Sequence, residues 1–342
     1  MTLGRLLWVI GILTAVLVGA IVLALAVGTV RIGLSEIAGI LLGKIFPTPV
    51  TGAEAHETIV LSLRLPRILL AGIVGSALGL AGAGFQAISR NPLADPYVLG
   101  VSSGAAFGVV VGVLTGLGAG AGIVFLPLFG FAGALVAAVV VYGIASIDGR
   151  LPVQTLLLAG VVVSLFFSSA IMLASSLIQA EELQGVVFYL MGNLRIVSYP
   201  AIGIVVACVV VGTALIYGQV LPLNLLSAGE EAAAQLGVEP ERVKRIVFVA
   251  CSLVTGAAVS ASGSIAFVGL MVPHAVRFCV GPDNRLVVPA SVLAGAIFLI
   301  LADIVARTVV APTEIPVGVI TAFLGAPFFA YLLRSRYRSV YP

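Results

Sequence analysis

Apolar runs, most of them long enough to cross a membrane, alternate with shorter polar breaks along the chain. A helix rises ~1.5 Å per residue and the hydrocarbon layer is ~30 Å thick, so about 20 apolar residues span it. The pattern predicts about ten spans, near 6–29, 67–88, 96–117, 121–143, 153–179, 199–218, 243–262, 264–280, 286–308 and 315–333. The eighth is shorter than a full crossing, and Ser260–Ser264 blurs its boundary with the seventh. The first run is too long for the apolar part of a signal peptide and is read as a retained helix. The expected fold is all-α, a polytopic membrane protein of about ten transmembrane helices forming one domain over residues 1–342.

The polar breaks set the orientation. An even number of spans puts both termini on one side. That side would collect Arg5, Arg90, Arg150, Arg242, Lys244, Arg245, Arg277, Arg285, Arg334, Arg336 and Arg338. The opposite side would hold Arg31, Lys44, Arg64, Arg67, Arg195 and Arg307. Basic residues favour the cytoplasmic face, so both termini are expected there. Residues 30–65 and 178–198 are then external, and "SEIAGILLGKIF" in the first reads as an amphipathic interfacial helix.

The internal segment 217–242 is the most polar in the chain. Ala228–Leu236 is rich in helix formers, with Ser227 as a candidate N-cap and Glu230 and Glu231 near the start. Gly237 suits the left-handed stop that ends many helices. A charge run of this kind is more often an ordinary solvated loop helix, but small residues on one face would let another protein approach its backbone, which suggests a docking element.

The break "RNPLADPYVLGVSSG", Arg90–Gly104, ends the second span at its prolines. Asp95 and Pro96 read as the N-cap and first residue of the third span. Gly100, Gly104, Gly108, Gly112 and Gly116 then recur at every fourth position. They are read as close helix packing within one subunit rather than as the lining of a path. A likeness between "GSALGLAGAG" and "TGAAVSASGS", five spans apart, is read as shared helix-contact chemistry before inverted repetition.

Composition narrows the chemistry. Of the 342 residues 61% are hydrophobic and only 9% charged, against about 25% charged in soluble domains. The three cysteines lie in apolar segments without paired spacing and read as small core residues. A net charge of +3 makes no case for nucleic acid. No metalloprotease, nucleophile-elbow or phosphate-loop motif occurs in a plausible context. Asp303 alone among the acids falls well inside a predicted span, and Arg307 one turn on is its expected partner. An ion-driven mechanism, which needs intramembrane acids, has little to work with. Arg64 and Arg67 flank Pro66, and Arg307 ends span nine on the same side. Such residues are commonly helix-end anchors, and a cationic rim can also steer an acidic partner.

Five stretches, in order, carry a resemblance: "RLPRILLAGIVGSALGLAGAGFQAISRNPLADPYVLGVSSGA", "YLMGNL", "GEEAAAQLGV", "IAFVGLMVPHAVR" and "ITAFLGAPFF". Together they resemble the permease subunits of type II binding-protein-dependent ABC importers for iron–siderophores, haem and vitamin B12. The likeness runs from about Arg64 to Leu333. It implies a homodimer, or paired half-permeases, in the bacterial or archaeal cytoplasmic membrane. It further implies two ATPase subunits that hold ATP and magnesium, and a periplasmic or lipid-anchored binding protein. The chain itself is then expected to be no enzyme and to bind no cofactor or metal. The resemblance places ATPase docking at Ala228, Glu230, Glu231, Ala232 and Gly237, within a loop spanning 218–242. It places binding-protein docking at Arg64, Arg67 and Arg307, and cytoplasmic gates at Asn91 and Leu93 and at Val153 and Gln154. Pro273, His274 and Arg277 match a family motif and are read as structural. The implied cargo is a ferric siderophore first, with cobalamin or haem next. The rivals are an ion-coupled secondary transporter working without an ATPase and a membrane scaffold with no transport role.

Overall fold

The computed structural model describes residues 2–28, 30–45, 54–116, 126–194 and 199–340. Arg195, assigned to the external face from the sequence, lies outside these. Every predicted span corresponds to a helix in the described residues, but the helices differ in length. Six are long and apolar enough to cross a membrane, and a seventh qualifies if a bent pair counts as one.

Helix α1 covers Leu3–Ala26. Leu34–Ile45 forms α2, so a helix is present where one was expected. A short α3, Glu54–Thr58, runs through a π turn, Ile59–Arg64, into α4, Leu65–Ser89. Then come α5 (Val101–Leu114), α6 (Leu126–Ala145), α7 (Val153–Ser175) and α8 (Ala180–Leu190). Helix α9, Tyr199–Tyr217, bends by 52° into α10, Val220–Leu226. The six-residue α11, Glu230–Gln235, precedes α12 (Pro240–Ser262) and α13 (Val268–Val280). Asn284–Thr308 is α14, and Val317–Val340 is α15.

The core is built around α4, most of whose residues are buried. Its small side chains let neighbouring backbones close in. A Cβ at Gly75 would sit 2.1 Å from the Gly295 carbonyl oxygen of α14. One at Gly82 would sit 1.9 Å from that of Gly269 in α13. Dispersion at such short separations replaces the hydrophobic drive that lipid cannot supply between helices.

The every-fourth glycines work the same way inside this subunit. A Cβ at Gly104 would meet the Gly133 carbonyl of α6 at 2.6 Å, and one at Gly108 that of Phe129 at 2.1 Å. The two ends of the series differ from the middle. Gly100 and Gly116 have φ of 81° and 67°, and so mark breaks rather than helix faces.

Two element starts differ from the sequence reading. Asp95 does cap a helix, accepting the Tyr97 amide at 3.0 Å, but the helix is a four-residue 3-10 turn, Pro96–Leu99. The third span proper starts again at Val101 after left-handed Gly100. Ser227 is not the N-cap of α11, since its hydroxyl donates back to the Asn224 carbonyl at 2.6 Å and closes α10. Gly229, at φ 123°, fills the N-cap position instead.

Candidate functional site

Two clusters of charge stand at opposite ends of the bundle, and each gathers residues far apart in sequence.

At the end predicted to be external, Asp303 lies between two arginines. Its carboxylate is 2.8 Å from Arg67 Nη2 and 3.0 Å from Arg307 Nε. Arg67 also reaches Glu314 at 2.9 Å. Arg307 donates to the Ala24 carbonyl, and Arg64 to the carbonyls of Leu25 and Val30. Ala24 and Leu25 are in the last turn of α1, whose carbonyls lack intrahelical donors and carry the negative end of the helix dipole. Two guanidiniums therefore cap α1.

Arg64 and Arg307 are each only 5% exposed, and Arg67 shows 13% of its side chain. Arg64 and Arg307 reach back to the end of α1, and all three expected docking arginines line an outer cavity of about 280 Å³ with Gly28, Leu63 and Glu314. Arg67 lies at a second one as well, of about 390 Å³, with Ser62, Leu63, Pro66, Leu194, Pro312 and Glu314. The expected Asp303–Arg307 pair is present. Arg67 as the second partner was hidden by a separation of 236 residues.

At the other end, Asn91–Ala94 forms a tight turn. Asn91 Oδ1 accepts the Leu93 amide at 3.0 Å, and the Ala94 amide donates to the Asn91 carbonyl at 3.1 Å. This is the side-chain-closed turn that asparagine favours. Val153 begins α7 after a turn in which Ile147 and Arg150 exchange backbone hydrogen bonds at 3.0 and 2.9 Å. Asp148 and Gly149 take positive φ there, as a two-residue hairpin turn requires. Of the four expected gate residues only Val153 lines the small void here, of about 10 Å³, where Ala94 and Leu99 face Leu151, Val153 and Leu156 with Lys244 on the wall. Gln154 is exposed.

Helix α11 sits on this surface. Ala233 is fully buried and anchors it, whereas Ala228, Glu231, Ala232, Gln235 and Leu236 face outward. Its end is a Schellman stop: the Val238 amide donates to the Ala233 carbonyl, the Gly237 amide to that of Ala234, and Gly237 has φ 83°. Glu230 points the other way, toward Arg90 and Lys244 at 3.3 and 3.2 Å. So Glu231 and Ala232 are available to a partner, and Glu230 is largely engaged within the chain. Arg90, Lys244 and Glu241 had no assigned role in the sequence reading, because nothing local distinguishes them from ordinary helix-end charges.

Nearby, Asp283 caps α14 by accepting the Arg285 amide at 3.0 Å, and it takes Asn224 Nδ2 at 2.7 Å. Arg285 also binds the carboxylate through its side chain at 2.6 Å. These bonds, the side-chain ones from Arg285 foremost, hold the carboxyl well below the usual carboxylate range. Arg277 reaches Ala83 and Asn284, at 3.3 and 3.2 Å, which ties α13 to α4 and α14.

Comparison with known proteins agrees with this architecture. Residues 15–335 match the model of the FecCD transport family. The cobalamin import system permease BtuC of Halobacterium salinarum is 45% identical over 285 residues, 83% of this chain and 75% of that protein. The iron(3+)-hydroxamate import system permease FhuB of Bacillus subtilis is 38% identical over 289 residues, covering 84% and 74%. A solved inward-facing structure of a metal-chelate type ABC transporter superposes with a TM-score of 0.83 at 29% identity, covering 95% of this chain and 98% of its own. Apolar helices long enough to cross a membrane, a whole-length structural match and a family match over nearly all residues lead to one conclusion: this chain is a multi-pass membrane protein of the FecCD transport family.

Proposed function

We propose that the chain is the permease subunit of an ATP-driven importer that passes a metal chelate from an external binding protein into the cytoplasm by alternating access. The observation that carries this reading is the outward face of α11. Glu231, Ala232 and Gln235 stand exposed on a helix anchored by Ala233 and stopped by Gly237, which suits docking by a separate energy-converting chain. The permease then supplies no covalent chemistry, and ATP and magnesium belong to two partner ATPase subunits. A second permease copy completes the path, in the cytoplasmic membrane of a bacterium or archaeon.

The cargo proposed is a corrin or ferric siderophore. Relatives named for cobalamin import and for hydroxamate import are both similar over more than four fifths of this chain. Haem stands behind both. On the outer side, Arg67 beside the 390 Å³ cavity is the proposed contact for an acidic residue of the binding protein, while Arg64 and Arg307 hold α1 behind it. The ion-coupled alternative loses its one intramembrane candidate, because both Asp303 oxygens are taken by arginines.

Uptake into vesicles of cyanocobalamin and of a ferric hydroxamate, each with its binding protein, tests the reading. ATP-dependent accumulation of one of them, with an ATPase co-purifying, is the expected result. Accumulation driven by an ion gradient without ATP overturns it.

A further inference from the structure

Four charged side chains at the inner end join three segments that the sequence treats separately. Glu230 opens α11 and splits its carboxylate, with Oε1 3.3 Å from Arg90 Nη2 and Oε2 3.2 Å from Lys244 Nζ. Arg90 is the left-handed residue that ends α4, at φ 50°, and it directly precedes Asn91 of the first gate turn. Lys244 continues to Glu241 Oε1 at 2.6 Å and to the Leu151 carbonyl at 3.1 Å. Glu241 Oε2 accepts the Leu151 amide at 2.6 Å. Both backbone polar atoms of Leu151, two residues before Val153, are thus held by the Lys244–Glu241 pair.

The Lys244 ammonium has three protons and three partners, and its side chain is only 4% exposed. A buried cation resists losing a partner, because water cannot reach in to replace it. When Glu230 moves, Lys244 is therefore drawn after it, and Leu151 with Lys244. The Arg90 branch is looser, being 43% exposed at the arginine. Glu230 thereby faces both gate turns from a helix whose opposite face is open to a partner.

We propose that Glu230 is a positioning residue that transmits displacement of α11 to both gate turns, through Arg90 to Asn91–Leu93 and through Lys244 to Leu151–Val153. The proposal rests on α11 being the ATPase-docking element.

The test uses the full permease with its ATPase in inside-out vesicles, with Cys208, Cys251 and Cys279 replaced by alanine. Leu93→Cys is labelled with a charged maleimide, without nucleotide and after trapping with ATP and vanadate. With Glu230 intact, trapping changes the labelling rate by about fivefold or more, the lower end of typical coupling between sites. With Glu230→Gln the change, read on the complex that still holds its ATPase, falls below about twofold. Arg90→Gln breaks the branch that leads to Leu93 and gives the same loss at this reporter, which keeps the test decisive if Glu230→Gln misfolds. A role confined to local folding would lower assembly and hydrolysis together. A full nucleotide response in either variant overturns the coupling role. So does a loss of co-purification in Glu230→Gln equal to that from Ala232→Trp on the outer face. If no ATPase co-purifies with the parent chain, the docking reading itself fails, a result distinct from either.

Discussion

The outer and inner charge clusters share a chemistry and differ in what they hold. Outside, Arg67, Asp303 and Arg307 link two long helices, α4 and α14, and cap a third, α1. Inside, Arg90, Glu230, Lys244 and Glu241 link a six-residue helix and two turns to the ends of α4 and α12. Asp303 is 1% exposed and Glu230 35% exposed. Charges buried among long helices fix a shape, since no partner can leave without exposing the others to hydrocarbon. Inside, Arg90, Glu230 and Glu241 are wetted and cost less to rearrange, and they can carry the buried Lys244 with a moving segment. The same ion pairs thus serve as brace at one end and as linkage at the other.

Breaking the brace should give the largest stability effect. Asp303→Asn takes the carboxylate from the buried Arg307 while Arg67 keeps Glu314, and loss of one partner from a buried pair typically costs about 3–5 kcal/mol. A steep drop in the melting temperature of detergent-solubilised protein is expected. Little change would mean that water already fills the outer cluster. Gly75→Ala comes next. Its Cβ would press on the Gly295 carbonyl at 2.1 Å, and overpacking of this kind costs roughly 1–3 kcal/mol. Leu in place of Ala at that position should abolish folding, as read by monodisperse yield.

Asp283→Ala removes an N-cap, worth about 1 kcal/mol. Because the Asp283 carboxyl titrates below its unfolded value, it contributes stability above an unfolded pKa of about 3.9 and loses it as pH falls through the folded value. The difference between parent and variant should therefore be flat from neutral pH to about pH 5 and shrink only in stronger acid. Melting curves across that range check it. Smallest in stability is Arg90→Gln, expected to cost less than about 1 kcal/mol because the pair is exposed. If its melting temperature fell as far as that of Asp303→Asn, the contrast between the two ends would be wrong.

The sequence shows depth in the membrane better than it shows neighbours. Apolar runs located every span, and the glycines at 104 and 108 were rightly read as close packing within the subunit. Gly237 signalled its own left-handed stop, since few other residues accept φ 83°. What hydropathy cannot give is the angle at which each helix faces its neighbours. Arg67 finds Asp303 across 236 residues, and Lys244 finds Leu151 across 93. Arg64 shows the limit most clearly: the residue pattern reads as a helix-end anchor or a rim charge, and the bonds it makes to the carbonyls ending α1 are not visible in it. At α11 the start was misplaced by local competition. Serine and glycine both open helices, and Ser227 was already engaged in ending α10.

Gly28 has a consequence that reaches beyond this one chain. A Cβ there would lie 2.6 Å from Arg64 Nη2, so the missing methyl is the space through which the guanidinium reaches α1. Positions 28 and 64 are therefore not free to drift independently. Among descendants of this sequence, a larger residue at 28 must push the Arg64 head group off the end of α1 or come with a shorter side chain at 64, so their histories of change should be linked although 36 residues separate them.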